Sequence, residues 1–527
     1  MSRKLFGFGA LVTFGALAAV VACGDAPTET IVASCTPGRS LACAGPGGCK
    51  GFQVCRSDGT FDECACPDAT VLADGDVPDG DDPIDGGRRD ASRDGPIDVA
   101  EEDAPIDVAE EDAPPDVADV FVPPSGWGVA FGNSPSGNMV AVAVDGNKNI
   151  VAGGWGGAGS LTKLAPNGVA IYQKSFADVI DLALNPNDGS IVVVGTAAPN
   201  TDFGGGVVPT SGMFVAKYDT NGVYQWLRGP FGATVSLRKV AVRSNGNAVV
   251  VGTLDAAVDL GSGTLTPSGY PDALLFELTP AGTLVRAKRW GDVGRQGLDS
   301  IAFDANGNVV VTGTAESSVD FGGGPITGPA AGSGLRNVFL VKLDANAAFL
   351  AQRATGTNAT DFLSVYGTDS VGRLLVAGSL QSKMNFGAAD LFPNTTADII
   401  IAALDSSLTQ VWAKQFGQVA GPLITGLAAN PAGGFTAVGW STNALSFGLG
   451  GLPAQQFPFF VRFDANGNPV ANFAATGTVG PPTGVAWLTG NDFVVTGQCG
   501  PGQVVFPWGS MKCLGQYSAG YVTRFTQ

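Results

Sequence analysis

The sequence predicts an all-β protein: a seven-bladed β-propeller closed by an N-terminal strand, preceded by a small disulfide-rich segment and a disordered acidic linker. Three observations carry this. A short apolar landmark ending in Gly recurs seven times beyond residue 126. Each recurrence sits in a unit of about four short apolar runs divided by Gly, Asn and Asp turns. The seventh unit lacks its last run, and an orphan run of the missing kind, "GWGVAFG" at 126–132, stands ahead of the first unit.

Residues 1–22 read as an export signal. Arg3 and Lys4 form a basic start, and Leu5–Val21 is apolar, rich in Ala and Gly, and short for a stable membrane span. The run ends in "VVAC". This resembles the lipobox of bacterial lipoproteins, a family in which the signal is cut before the Cys and the Cys is lipidated. The resemblance implies lipid on Cys23 and a membrane as partner. Several acyl chains would hold the protein there, since one chain binds only marginally. Gly24 follows, not the Asp of inner-membrane retention, so the outer membrane or cell surface is the expected location.

Nine cysteines fit an oxidising compartment. Apart from Cys23, six of them (Cys35, Cys43, Cys49, Cys55, Cys64 and Cys66) cluster within 23–66. Cys499 and Cys513 stand alone near the end, so every set left to pair is even. Segment 23–66 is too short to fold on an apolar core, and three disulfides are expected to hold it, with about fifteen pairings open. Metal binding is the alternative, but the spacings lack paired C-x-x-C knuckles. The segment resembles small Cys-rich pieces that follow the lipid anchor in some Gram-negative surface lipoproteins, which implies no activity. A bond between Cys499 and Cys513 would close a loop of about 15 residues.

Residues 67–125 are acidic and Pro-rich, with "PIDVAEEDA" at 96–104 and again at 105–113. From 67 to 124, 19 Asp and Glu stand against three Arg, a net of −16 within a chain total of −18. Such a segment cannot bury enough apolar surface to fold, and its like charges extend it. As a coil it would span about 40–45 Å. "DGDVPDGDD" lacks the spacing and final Glu of a calcium loop, so a solvated spacer is favoured over calcium capture.

The propeller occupies 126–527. Its landmark appears as "IVAGG" (Gly153), "VVVGT" (Gly195 and Gly252), "VVTGT" (Gly313), "LVAGS" (Gly378), "TAVGW" (Gly439) and "VVTGQ" (Gly497). A second piece follows it: "DFGGG" (202–206), "DLGSG" (259–263), "DFGGG" (320–324), "NFGAA" (385–389), "SFGLG" (446–450) and a weaker "VFPWG" (505–509). Repeats of about 60 residues with four strands each are the mark of a propeller. The last unit stops at "YVTRFTQ", the end of a third strand. "WGVAFG" (127–132) matches the fourth run "WAKQFG" (412–417) in length, with Trp, Phe and Gly in the same places. It is therefore expected beside Phe525, completing the last blade and sealing an edge that would otherwise be unpaired. The units resemble the SBBP-type seven-bladed propeller repeats of bacterial exported proteins, on the forms "DANGNVVVTG" and "DFGGG". The resemblance implies the fold and little about activity.

No catalytic group stands out. The chain has no His, which removes Ser-His-Asp and Cys-His catalysis and His-ligated zinc. "DANGN" (304–308 and 464–468) imitates the start of a calcium loop but reads better as a hairpin turn. Asp202, Asp259 and Asp320 could ring one face with carboxylates; a turn in which each Asp binds its own backbone is favoured. Gly-Gly-Gly here opens no helix, so it cradles no phosphate. The blade-to-blade connections carry Asp181, Arg238, Asp299 and Asp361, which are candidates for a ligand face by position only. A near-neutral propeller behind an acidic stalk argues against nucleic acid. No metal site or cofactor is expected, and the protein is expected to be a monomer. The function that fits is a surface-anchored module binding a protein or a glycan. The alternatives are a carboxylate-dependent exported enzyme, such as a lyase or glycoside hydrolase, and a structural envelope component.

Overall fold

The computed structural model describes the strands Ser40–Ala44 and Lys50–Val54 and residues 125–526, apart from 132–136, 157–159, 270, 357–360, 395–396, 418–421, 451, 454 and 514–517. The chain divides into two compact units, Met1–Glu111 and Asp112–Gln527. In the first, the described part is one antiparallel hairpin, with Cys43 opposite Gly51. The export signal, Cys23, Cys35, Cys49, Cys55, Cys64, Cys66 and the linker lie outside the described residues. Cys43 is described as backbone alone.

The second unit is a seven-bladed propeller. Blade 1 runs through Asn138–Val144, Ile150–Trp155, Leu161–Leu164 and Ala170–Lys174, each strand antiparallel to the next. Blades 2 to 6 repeat this order, with innermost strands Asp178–Leu184, Val235–Val242, Gln296–Phe303, Phe362–Thr368 and Leu423–Ala429. The innermost strands neighbour one another in sequence, and that of blade 7, Thr476–Thr489, meets that of blade 1. Both faces of a blade are covered by its neighbours. The second strands are therefore continuous apolar runs, as in Ala248–Leu254, where every residue is buried. Seven apolar clusters fill the seven gaps between blades.

Blade 7 is the split one. Its strands run from Thr476–Thr489 through Asp492–Phe506 and Ala519–Thr526 to Ser125–Phe131 at the outside. Gly126 stands opposite Phe525, and Phe131 opposite Gly520. The orphan strand is thus the missing fourth strand. Trp127 donates from Nε1 to the Pro166 carbonyl of blade 1 at 3.1 Å. Trp226 of blade 2 makes the same bond to Pro280 of blade 3 at 2.9 Å. Blade 7 also holds an extra strand, Gly509–Cys513, paired with the far end of Asp492–Phe506. Cys499 and Cys513 are disulfide-bonded across this hairpin. Closing a loop of this length contributes about 3 kcal/mol in the chain-entropy model.

The landmark glycine has a packing cause. A β-carbon on Gly313 would collide with the Gly297 carbonyl oxygen and stand 2.6 Å from the Phe339 ring. Gly195, Gly252, Gly378 and Gly439 meet the equivalent carbonyl, and in blade 1 the place belongs to Gly154, one residue past Gly153. In blades 1 to 4 and in blade 6 the innermost strand is bulged beside this point; in blade 5 the bulge falls at Tyr366. In blades 3 and 4 the extra residues are Arg238 and Asp299. A bulge re-aims a side chain that a regular pleat would direct into the blade interface.

Candidate functional site

One face of the ring carries the turns between first and second strands and between third and fourth. The "DANGN" segments lie here and are turns. Asp304 Oδ1 accepts from the Asn306 and Asn308 backbone N–H groups at 2.9 and 2.8 Å, and Asp464 does the same with Asn466 and Asn468. Polar side chains then join blade to blade. Lys163 reaches the Thr220 carbonyl (2.8 Å), Lys217 that of Pro280 (3.1 Å), Lys342 that of Ser406 (2.8 Å), and Arg524 that of Pro166 (2.7 Å). A groove of about 520 Å³ opens between blades 3 and 4 on this face, lined in part by Arg243, Glu277 and Arg286. Its charges are already used. Both arginines pair with Glu277 at 3.3 Å and donate to carbonyls of blade 4. This groove is part of the bracing between blades.

The opposite face carries the blade-to-blade connections and the loops between second and third strands. The "DFGGG" segments are here. Asp202, Asp259 and Asp320 each accept two backbone N–H bonds from their own turn, at 2.7 and 3.1 Å. Phe203, Leu260 and Phe321 are buried between blades. Trp290, at the end of blade 3, packs against Phe321 of blade 4 with centroids 5.1 Å apart. These carboxylates are committed to turns and do not form a ring.

Two of the four sequence candidates are held by scaffold contacts. Asp181, buried, accepts from Lys239 Nζ at 3.0 Å and the Val240 N–H at 2.9 Å, joining the innermost strands of blades 2 and 3. Asp361, also buried, accepts from the backbone N–H of Gln381 and Ser382 and from the Ser382 hydroxyl, fixing the loop after the second strand of blade 5. The other two come together. Arg238 and Asp299, bulged residues of neighbouring innermost strands, line one cavity of about 250 Å³ between blades 3 and 4. Arg295, Arg336, Asp255 and Thr314 line it with them.

Burial pushes the Asp299 carboxyl above its ordinary range, against the pull of Arg238 and Arg336 and a hydrogen bond with Thr314. Asp255 is tied down, accepting from Ser236 Oγ at 2.8 Å and Thr253 Oγ1 at 2.9 Å. The cavity therefore presents guanidinium groups and one carboxyl held above its ordinary range. Among the described residues no three His, Cys, Asp or Glu side chains come together as metal ligands would.

Sequence reasoning missed Arg295 and Arg336. Arg295 directly precedes the first strand of blade 4 and Arg336 its third strand, Asn337–Leu343. That placement puts both on the connection face and was the signal available.

No family model matches the sequence, and no curated protein does. Solved structures resemble it in fold alone. One is a protein of unknown function from Bacteroides caccae, 13% identical with a TM-score of 0.33, covering 67% of this chain and 94% of that one. YCF48 bound to a D1 peptide is 11% identical with a TM-score of 0.37, covering 77% of this chain and all of that one. The GH74 xyloglucanase from Xanthomonas campestris is 10% identical with a TM-score of 0.38, covering 71% of this chain, which spans about half that enzyme's length.

Proposed function

We propose that the protein is a membrane-anchored surface lipoprotein, with SBBP-type repeats, whose propeller binds a glycan or a protein through the cavity between blades 3 and 4. The observation that supports the site is the meeting of Arg238 and Asp299, two bulged residues from adjacent blades, in one recess. Asp202, Asp259 and Asp320 are spent on turns, and Arg243, Glu277 and Arg286 on bracing. Lipid on Cys23 and the acidic spacer would hold this recess away from the membrane surface.

Binding is tested with the full-length protein on a glycan array and against envelope extracts. Wild type should retain a ligand that Arg238→Ala loses. Equal retention by the two proteins, or none by either, sinks the reading. The anchor is tested separately: Cys23→Ser should leave the detergent phase in a detergent-partition assay, and continued partitioning like wild type would place the anchor elsewhere.

A hydrolase or lyase is the second reading. It is favoured by one observation, the raised pKa of Asp299 in a cavity that also holds Asp255. The hydroxyl contacts that occupy Asp255 weigh against a second working carboxylate. Release of shortened product from a bound glycan, lost in Asp299→Asn, would move the assignment to an enzyme.

A further inference from the structure

We propose that the cavity between blades 3 and 4 clamps the carboxylate of an acidic sugar, so that the ligand is a uronate-bearing glycan; this rests on the reading of that cavity as the binding site. The arginines carry the argument. Residues 126–527 contain eleven. Eight donate to a carboxylate, an amide or a backbone carbonyl of the protein. The other three are Arg238, Arg295 and Arg336. None of their guanidinium groups forms a hydrogen bond or ion pair among the described residues, and all three line this one cavity.

A fold that gives every other arginine an acceptor has gathered its three open guanidinium groups in about 250 Å³. Their like charges repel, and an incoming anion relieves that. A guanidinium fork matches a carboxylate with two parallel hydrogen bonds. Asp299 does not fill this role, since it closes no ion pair with the arginines beside it, among the described residues. The Asp299 carboxyl, with Thr314, is instead placed to meet a sugar hydroxyl. The lining is polar throughout except at Pro271 and Gly297, so it lacks the apolar anchor pocket on which a protein partner would depend. Its volume falls below that of drug-sized sites, which suits one sugar residue of a longer chain.

The test titrates full-length protein with oligogalacturonate by calorimetry at low salt. Parallel arms use neutral dextran oligomers, dextran sulfate and a poly-glutamate peptide. Oligogalacturonate should bind, and raising the salt should weaken it because the cavity is open to solvent. Arg238→Ala and Arg336→Ala should each lower affinity at least tenfold. Arg238→Gln, which keeps a polar side chain as far as Cδ and removes the guanidinium, should do the same while melting like wild type. Lys288→Ala, an exposed cation on the outer strand of blade 3, should change nothing. Equal loss in Lys288→Ala would reduce the effect to general charge and overturn the site. Binding of poly-glutamate or dextran sulfate in place of oligogalacturonate would overturn the sugar carboxylate but leave a binding cavity. Neutral dextran bound by wild type and lost in Arg238→Ala would do likewise. Silence in all four arms, with an array ligand still lost in Arg238→Ala, removes the uronate alone; silence on the array as well removes the binding module with it.

Discussion

Arg243 and Glu277, 3.3 Å apart in blade 3, are the charge-reversed image of Asp304 and Lys342, which hold the same two places in blade 4 at 2.6 Å. Asp145 and Lys163 hold them in blade 1 at 2.9 Å. In each case the cation also reaches a carbonyl of the following blade. In these three blades the two places hold a buried pair of opposite charges and a donor for the neighbour, in either order.

Removing one partner of such a pair leaves a buried charge uncompensated, which costs about 3–5 kcal/mol. Glu277→Lys should cost at least that, because Arg243 and Arg286 both lose their counter-ion. The double variant Arg243→Asp with Glu277→Lys restores the order of blades 1 and 4 and should recover a large part of the loss. Urea melts of the three proteins decide it. A double variant no more stable than Glu277→Lys would show that the two orders are not interchangeable.

The split blade makes a second prediction. Two N-terminal truncations, one starting at residue 125 and one at 132, differ only by the outer strand of blade 7. The shorter protein loses seven ladder positions, the Trp127 bond to Pro166 and the cover over Tyr521 and Phe525. It should melt well below the longer one and aggregate through the exposed edge. Equal melting would mean the ring does not depend on its N-terminal strand.

How much of this was legible beforehand follows from the range of the interactions. The blade count and the turn roles of Asp202 and Asp304 depend on residues a few positions apart, and repetition made them visible. The split blade spans the whole chain, yet "WGVAFG" could be matched to a fourth strand because six copies of that strand were available. The reason for the landmark glycine was hidden, since Gly313 answers to a carbonyl 16 residues away across a bulge. So were the bracing contacts, which join residues 57 to 64 apart, or 358 apart where the ring closes, and use Lys, Arg or a reversed pair at one position. Of the cavity's lining, Arg238 and Asp299 were singled out by their face. Arg295 and Arg336 were not, because they lie in loops of unequal length where no repeat aligns them. Asp181 and Asp361 shared the face but were already occupied, which a sequence does not record.

The bulge at the landmark gives a third prediction. Gly313→Ala places a methyl group against the Gly297 carbonyl and the Phe339 ring, both fixed by the sheet. Overpacking of this kind typically costs about 1–3 kcal/mol, and more where the blocking atom is backbone. Gly146→Ala, in a turn with nothing within 4 Å of the added carbon, should be nearly neutral. Matched thermal melts separate them. Equal loss would mean that flexibility of the chain, and not the close approach, explains the recurrent glycine.

Asp299 links stability to the open arginines. Its carboxyl lies above the ordinary value of 3.8 because burial outweighs the pull of Arg238 and Arg336 and the Thr314 hydrogen bond; Arg295 and Asp255 also face the cavity. The folded chain therefore holds this proton more tightly than the unfolded chain. Well below pH 3.8 both states are protonated and the group contributes its full share. As pH rises past that value the unfolded chain ionises first, so stability falls until the folded carboxyl ionises too, and stays lower above it. Asp299→Asn keeps the shape and removes the titration. It should melt above wild type at pH 7, with the gap narrowing as the pH is brought down toward 3.5. A wild type that is the more stable protein at pH 7 would mean an ionised Asp299 paired with its arginines. In that case the cavity would already hold its own anion, and a ligand carboxylate would have to displace it.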